Sequence, residues 1–189
     1  HFDAVTSIPT DKIPYAVNTE LPDDISMLQC EETSDDFNAR FSAKRKTYRY
    51  SLYSAPHRIA TLNRNHTHII SPLNVDDMKK AAEYIVGEHD FSAFKSKSDN
   101  PAKICKIFEA TAKKEGEYIL IDIIGNRFLY NMVRTIIGTL LRIEKTSKDP
   151  ELFKAILDSK DRSNAFETID ASGLTLVEVG YDSKYETRQ

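Results

Sequence analysis

Alternation of apolar and polar residues predicts a strand over residues 46–53. Tyr48, Tyr50 and Leu52 fall on one side of this segment, and more polar residues fall between them. Because successive side chains of a strand point to opposite faces, this spacing gives the strand one aromatic face. The pattern therefore predicts a strand that packs through its tyrosines and presents polar groups on the other side.

Three later runs also have the composition of strands. Residues 104–112 and 118–124 are rich in apolar and β-branched residues, and the polar stretch 113–117 joins them. Two such runs around a short polar connection predict an antiparallel hairpin. The last run, from Leu174 to Tyr181, predicts a final strand by its composition.

Helical spacing predicts three helices. The first spans about residues 75–86, where Asn74 is a suitable N-cap and Gly87 a suitable end. A shorter helix covers residues 150–157, with proline at its first position. Between them a long helix starts at Phe128, because apolar residues recur at intervals of three and four, namely Leu129, Met132, Val133, Ile136, Ile137, Leu140 and Leu141.

This order of strands and helices predicts an α+β fold, a mainly antiparallel sheet covered by helices. Residues 1–36 contain three prolines and an acidic stretch, which is typical of a connecting region, and residues 37–189 carry the predicted domain. Charged residues make up 29% of the chain and are mixed in sign, and no apolar run reaches the length of a membrane-spanning helix. The sequence therefore predicts a soluble intracellular protein.

A basic cluster stands out against the net charge of −3. Such a net charge excludes a surface that is basic throughout, but a local patch suits a phosphate backbone. The cluster consists of Arg40, Lys44, Arg45, Lys46 and Arg49, and Arg58 and Arg64 follow it.

Metal binding is not indicated by the cysteines or the histidines. Cys30 and Cys105 are far apart and have no histidine at ligand spacing. His66 and His68 alternate on a predicted strand and would share one face, but no third ligand is near them in the sequence. We expect both to be exposed polar side chains.

Four stretches resemble the carboxy-terminal catalytic half of the TruA family of tRNA pseudouridine synthases: residues 41–50, 87–94, 125–138 and 173–181. The most distinctive parts are Phe-Leu-x-x-Met-Val-Arg in the third stretch and Gly-Leu-x-Leu-x-x-Val-x-Tyr in the fourth. The resemblance covers nearly the whole chain. It implies a pseudouridine synthase-like fold, with residues 37–189 as the catalytic domain and residues 1–36 as a remnant of the amino-terminal domain with a linker.

The resemblance also implies an activity. Members of the family isomerise uridine to pseudouridine in the tRNA anticodon stem-loop, using an aspartate in a Gly-Arg-Thr-Asp segment and neither cofactor nor metal. No such segment occurs in these 189 residues. We therefore expect a fragment that is inactive alone, derived from a cytoplasmic enzyme that is a homodimer at full length.

Three site residues follow from the resemblance, each with an alternative. Tyr48 corresponds to the tyrosine that stacks on the flipped uracil, although a strand tyrosine can simply pack beneath a helix. Arg134 corresponds to the arginine that pairs with the catalytic aspartate, and its alternative is a surface salt bridge. Leu174 corresponds to a leucine that packs against the base, and its alternative is a core leucine. We expect Tyr48 and Arg134 to lie side by side.

The remaining candidate residues are basic, and we expect them to bind tRNA through its phosphates without reading sequence. Half of the cluster should simply be solvated. One departure from the family lies before the last strand, where Thr-Ala-Pro-Ala is replaced by residues 168–171, Thr-Ile-Asp-Ala. A second hypothesis is a non-catalytic RNA-binding or dimerisation module on the same fold. The candidate substrate ligands besides Tyr48 and Leu174 are Arg40, Lys44, Arg45, Lys46, Arg49 and Arg127.

Overall fold

The computed structural model of the protein describes residues 1–59 and 65–181. Internal contacts divide the chain into two compact units, His1–Ser42 and Ala43–Gln189. In the first unit a 3-10 turn leads into the short helix α1, Ile13–Asn18, in which Pro14 is buried. The predicted domain boundary after residue 36 stays a prediction.

The second unit contains a six-stranded sheet. Its strands are β1 (Arg45–Ser54), β2 (Thr67–Ile69), β3 (Gly87–Asp90), β4 (Ile104–Glu115), β5 (Tyr118–Gly125) and β6 (Leu174–Gly180). They lie in the order β2-β1-β5-β4-β3, and β6 also pairs with β1. The β1–β2 pair is parallel and the other pairs are antiparallel. The predicted α+β fold with a mainly antiparallel sheet is confirmed.

Three helices cover this sheet: α2 (Val75–Glu83), α3 (Met132–Lys145) and α4 (Pro150–Ser159). They share one hydrophobic core with the sheet, whose bulkiest fully buried side chains are Tyr50, Phe91, Phe94 and Phe153. Among residues 1–59 and 65–181, no helix has both the length and the apolar character needed to cross a membrane.

The start of α3 differs from the sequence prediction. The apolar spacing predicts a helix from Phe128, but α3 begins at Met132. Asn131 has φ 59° and ψ 6°, a left-handed conformation that a right-handed helix cannot contain. Phe128 is half-buried and Leu129 is buried in the non-helical segment before Asn131, so their spacing reflects burial and not helix.

Two further boundaries of helices and strands differ from the sequence prediction, and a glycine lies at each of them. The strands of the predicted hairpin meet at a tighter turn than expected, because β4 extends to Glu115 and Gly116 takes φ 61°. Gly87, expected to end a helix over 75–86, has φ 111° and begins β3, while α2 already ends at Glu83. The short strand β2 lies where the alternation of His66 and His68 predicts a strand, whereas the short strand β3 was not predicted as a separate element.

His66 and His68 flank Thr67 of β2 and both contact the ring of Tyr53, at centroid distances of 5.4 and 5.9 Å. The expectation that both are exposed is wrong: His66 is 4% exposed because it packs between Tyr53 and Tyr118, and His68 is half-buried with its Nε2 2.8 Å from the backbone oxygen of Ala55. The part of the chain that the structure describes contains no group of three His, Cys, Asp or Glu side chains placed to hold a metal ion.

Candidate functional site

Tyr48 lies on β1 between two neighbouring strands. Its partners in register are Ile123 of β5 and Leu176 of β6. The side chain is half-buried, and its ring meets the ring of Phe128 edge to face, with centroids 5.0 Å apart and planes at 84°. An edge-to-face arrangement of this kind is favourable for two aromatic rings and orients the Tyr48 ring. Tyr48 is therefore held in a defined orientation by Phe128.

Gly125, the last residue of β5, makes room for Phe128. A Cβ atom at this position would lie 2.8 Å from Cδ1 of Ile107 and 3.2 Å from Cζ of Phe128. Both distances are shorter than ordinary van der Waals contact, so a side chain here would push Phe128 away from the sheet. The glycine that opens the third family-like stretch thus serves the packing of Tyr48.

Arg134 lies in the first turn of α3 and is half-buried. Its Nε donates to the backbone oxygen of Ile169 at 2.8 Å, and its Nη1 donates to Oδ1 of Asn131 at 3.0 Å. Among residues 1–59 and 65–181, no carboxylate forms an ion pair with Arg134, and Nη2 has no hydrogen-bond partner. The described structure thus contains no salt bridge at Arg134.

The loop 165–170 can approach Arg134 because α3 has a glycine, Gly138, where the loop packs against it. A Cβ atom on Gly138 would lie 2.0 Å from the backbone oxygen of Glu167, so only glycine allows this approach. Next to it the hydroxyl of Thr135 bonds that of Thr168 at 2.9 Å. The amide of Ile169 also donates to the backbone oxygen of Arg134 at 3.4 Å. These contacts bring the Ile169 carbonyl to the guanidinium.

Tyr50 connects β1 to the same loop. Its hydroxyl donates to the backbone oxygen of Asp170 at 2.5 Å and lies 2.6 Å from the hydroxyl of Thr67. Burial raises the pKa of the Tyr50 phenol, while the hydrogen bond with Thr67 and the positive charge of Arg134 act in the opposite direction. Tyr50 thus lies within the electrostatic reach of Arg134.

Asp170 is the exposed carboxylate of this neighbourhood. The amide of Ser172 donates to its Oδ1 at 2.7 Å. The hydrogen bonds from Ser172 lower the pKa of Asp170, and the charge of Arg134 adds to this effect. Asp170 therefore stabilises its own turn and stays ionised, at the position where the family usually has proline.

One segment, residues 125–131, contacts both predicted site residues. Phe128 packs on Tyr48, and Asn131 accepts a hydrogen bond from Arg134. In the described part of the chain no hydrogen bond or ring contact joins Tyr48 directly to Arg134. The expectation that the two lie side by side stays a prediction, and the segment between them is the connection that the structure provides.

Two arginines of the basic cluster have carboxylate partners within the sheet. Nε and Nη2 of Arg49 donate to the two oxygens of Asp122, both at 2.7 Å. The hydrogen bonds with Asp122 raise the pKa of Arg49. Arg45 is buried, and its Nη2 lies 2.7 Å from Glu178. Arg49 points to the opposite face of β1 from Tyr48, and both arginines stay predicted phosphate ligands.

The other basic candidates are more accessible. Arg40, Lys44 and Arg127 are exposed and Lys46 is half-buried. Arg40 lies over the ring of its exposed neighbour Phe41, 5.5 Å from the centroid. Arg58 is exposed as well, whereas Arg64 lies outside the described residues. These assignments stay predictions.

Leu174 begins β6 and pairs in register with Tyr50 of β1. It is half-buried and packs against the hydrophobic core. Gly173 makes this approach possible, because a Cβ atom there would lie 2.6 Å from the backbone oxygen of Ser51. Leu174 thus has core contacts and some exposed surface, and its predicted contact with the base stays a prediction.

Sequence reasoning missed the residues that hold Arg134 and Tyr48 in place, namely Phe128, Asn131, Gly138 and Ile169. Asn131 could have been found, since it precedes Arg134 by one helical turn and suits a carboxamide-to-guanidinium contact. Ile169 acts through its backbone oxygen, for which the sequence carries no signal.

Comparison with known proteins finds one family along the chain. A family model described as tRNA pseudouridine synthase matches residues 81–182. The tRNA pseudouridine synthase A of Thermoanaerobacter sp. (strain X514) is 44% identical over 183 residues, covering 96% of this chain and 75% of the relative. That of Bacillus subtilis (strain 168) is 41% identical over 97% of this chain and 74% of its own length. That of Anoxybacillus flavithermus is 38% identical with the same coverage.

Proposed function

This chain belongs to the tRNA pseudouridine synthase A family, and we propose that it supplies the residues that hold a flipped uridine of the tRNA anticodon stem-loop and orient the catalytic aspartate. The reaction sets what these residues must do. The bond between N1 and C1′ breaks, the uracil turns, and C5 bonds to C1′, while C5 loses a proton and N1 gains one. One carboxylate at the ribose and a flat pocket for the base meet these needs.

The catalytic aspartate of this proposal lies outside the 189 residues, because none of their aspartates follows Gly-Arg-Thr. It approaches the guanidinium of Arg134. We call these residues together with the aspartate-bearing segment the complete synthase. An ionised carboxylate beside the ribose C1′ is the nucleophile: it bonds to C1′ as the bond to N1 breaks, and it leaves again as a carboxylate when C5 bonds to C1′. The guanidinium keeps it ionised and in plane.

The main support for the proposal is that the hydrogen-bond partners of the Arg134 guanidinium are neutral oxygens. A guanidinium has five N–H donors and no acceptor. Two of these donors are directed to neutral oxygens, of Ile169 and Asn131, and Nη2 keeps its donors free among the described residues. The positive charge is therefore held at a fixed place without a direct ion pair in the described structure, and the exposed Asp170 is the carboxylate whose charge interacts with it. A site prepared in this way suits a carboxylate that comes from outside it.

Tyr48 provides the platform for the base. Its ring is fixed by Phe128 and is half-buried, so stacking a uracil on it costs little side-chain entropy. Stacking of a base on an aromatic side chain contributes about 1–3 kcal/mol in single-strand binders. Leu174, which pairs with Tyr50 beside this platform, supplies an apolar edge for the base.

The remaining parts of the proposal rest on membership of the family. The enzyme is cytoplasmic, acts as a homodimer and needs neither cofactor nor metal. Its partner is tRNA, which the exposed cations contact through phosphates. Arg40, Lys44 and Arg127 are best placed for this, since they are exposed and no hydrogen bond to a carboxylate occupies them in the described residues.

The platform can be tested with two substitutions in the complete synthase. Tyr48→Phe keeps the ring and should retain most of the single-turnover rate on bound tRNA. Tyr48→Leu removes the ring and should slow that rate by about tenfold or more, from the stacking energy above. Tyr53→Leu is the control, since Tyr53 lies on the same strand but packs against histidines. Equal rates for Tyr48→Leu and wild type would remove the stacking role.

A second function suits the 189 residues by themselves. Because they contain no Gly-Arg-Thr-Asp segment, they can bind tRNA without modifying it. Binding of unmodified tRNA with no formation of pseudouridine would support this second function for the isolated chain.

A further inference from the structure

Asn131 is the N-cap residue of α3, but its side chain does not cap the helix. At the N-cap position an asparagine oxygen usually accepts from the second or third amide of the helix. The side chain of Asn131 makes no such bond at the start of α3. Instead its Oδ1 accepts from Nη1 of Arg134 at 3.0 Å, and its Nδ2 donates to Oγ of Ser96 at 3.1 Å. The carboxamide thus joins Arg134 to Ser96.

The chemistry of the partners determines which way the carboxamide faces. A guanidinium can only donate, so the atom next to Nη1 of Arg134 must be the oxygen of Asn131. The nitrogen then faces Ser96, whose hydroxyl can accept. An aspartate in this place would lack the donor, and it would bring a second negative charge to the guanidinium. Asparagine is the side chain that satisfies both neighbours.

Ser96 belongs to the loop 95–102, which is itself held closed. Nζ of Lys95 donates to the backbone oxygens of Asn100 and Ala102 across this loop. The amide of Ser96 donates to the backbone oxygen of Tyr130 at 3.0 Å, directly beside the Asn131 contact. Arg134 is therefore connected through Asn131 to one loop, and through Ile169 to another.

We propose that Asn131 is a positioning residue: its carboxamide sets the plane of the Arg134 guanidinium by fixing it to Ser96. The inference rests on the proposed function of Arg134 and adds a residue that acts through it. With Nε held by Ile169 and Nη1 held by Asn131, rotation of the guanidinium is blocked at two points. Loss of the second point leaves the charge in place and lets its plane turn.

The left-handed backbone of Asn131 allows a clean test. Glycine adopts φ 59° without strain, so Asn131→Gly removes the carboxamide and keeps the turn. Lys160, with φ 53° at the end of α4, is exposed, so Lys160→Gly is a matched control for introducing glycine at such a position. If asparagine served the backbone alone, both substitutions would be equally harmless.

The experiment measures tRNA affinity and the single-turnover rate on bound tRNA in the complete synthase. Asn131→Gly should slow the rate by about tenfold to a hundredfold, because a catalytic group displaced by about an ångström costs this much. The affinity for tRNA should stay within about twofold of wild type. Ser96→Ala should slow the rate less, and Lys160→Gly should change neither quantity.

A double substitution separates positioning from a general structural effect. If Asn131 acts through Arg134, adding Asn131→Gly to Arg134→Lys should slow the reaction little further. Losses that multiply, or a wild-type rate for Asn131→Gly, would overturn the inference while a slow Arg134→Lys enzyme upholds the proposed function. A normal bound-state rate for Arg134→Lys would overturn both.

Discussion

Arg134 and Arg49 show two opposite ways of holding a guanidinium in one small domain. Arg49 forms a two-point ion pair with Asp122 on the neighbouring strand, with both N to O distances at 2.7 Å. Arg134 is also held at two points, but its partners are a backbone carbonyl and a carboxamide. The first arrangement neutralises the charge, and the second fixes the charge without neutralising it.

Under the proposed function, this difference would separate an arginine that stabilises the sheet from one that receives a catalytic carboxylate. An ion pair across two strands stabilises the register of the sheet, and its partner is supplied by the fold itself. A guanidinium bound only by neutral acceptors keeps its attraction for an added carboxylate. Among the described residues, the exposed Asp170 interacts with the charge of Arg134 without forming an ion pair, and the proposed function adds a second carboxylate that comes from outside these residues.

The strongest test of the comparison uses residues 1–189 alone. We expect them to form no detectable pseudouridine in unmodified tRNA, because the guanidinium of Arg134 then has no catalytic carboxylate to orient. Nucleoside analysis of the treated tRNA, with the complete synthase as positive control, measures this. Pseudouridine above the level of a sample without protein would mean that a carboxylate of these residues serves. Asp170→Asn would then be the first variant to make, since Asp170 lies near Arg134.

The next largest effect is expected for Arg134→Lys in the complete synthase. Lysine keeps the charge but loses the planar fork, so the single-turnover rate should fall on the order of a hundredfold. The affinity for tRNA, measured at one stated salt concentration, should hardly change, because one cation replaces another. Arg142→Lys on the exposed side of α3 is the control. A tenfold loss of affinity with a normal bound-state rate would make Arg134 a phosphate ligand.

Gly138→Ala should disturb the region of Arg134 without touching its side chain. The added Cβ would meet the backbone oxygen of Glu167 at 2.0 Å, so loop 165–170 must move away from α3. We expect the free energy of unfolding to fall by about 1–3 kcal/mol, as for overpacked cores. Chemical denaturation measures this, with Lys145→Ala as an exposed control on the same helix. Unchanged stability would show that the loop is not held closely by α3.

The smallest effect is expected for a substitution of Asp122, the partner of Arg49. Asp122→Asn removes one charge of the Arg49 pair, whose side chains are 40% and 21% exposed. Exposed pairs contribute about 0.2–1 kcal/mol, so the free energy of unfolding should fall by no more than this. The affinity for tRNA should remain unchanged if Arg49 is structural. A clear rise in affinity would show that Asp122 keeps Arg49 away from the phosphates, which would bring the two arginines closer in role.

The fold could be predicted where a segment carries a long periodic pattern. The strand β1, the hairpin of β4 and β5, and the helices α2 and α4 follow from their spacing and caps. The strand β3 has only four residues, too few for a period to be recognised, and the three-residue strand β2 was indicated only by the alternation of His66 and His68. The start of α3 was misplaced because residues buried in a turn have the same apolar spacing as a helix.

The sequence by itself determined the family and the fold class, and its motifs made Arg134 and Tyr48 candidate site residues. These are properties of local order, since motifs and periodicity are written along the chain. Only the tertiary structure decided that Arg134 is bound by the Ile169 carbonyl and Asn131, while Arg49 is bound by Asp122. Backbone oxygens are alike at every residue, and which one meets a given guanidinium depends on the packing of segments that are distant in sequence.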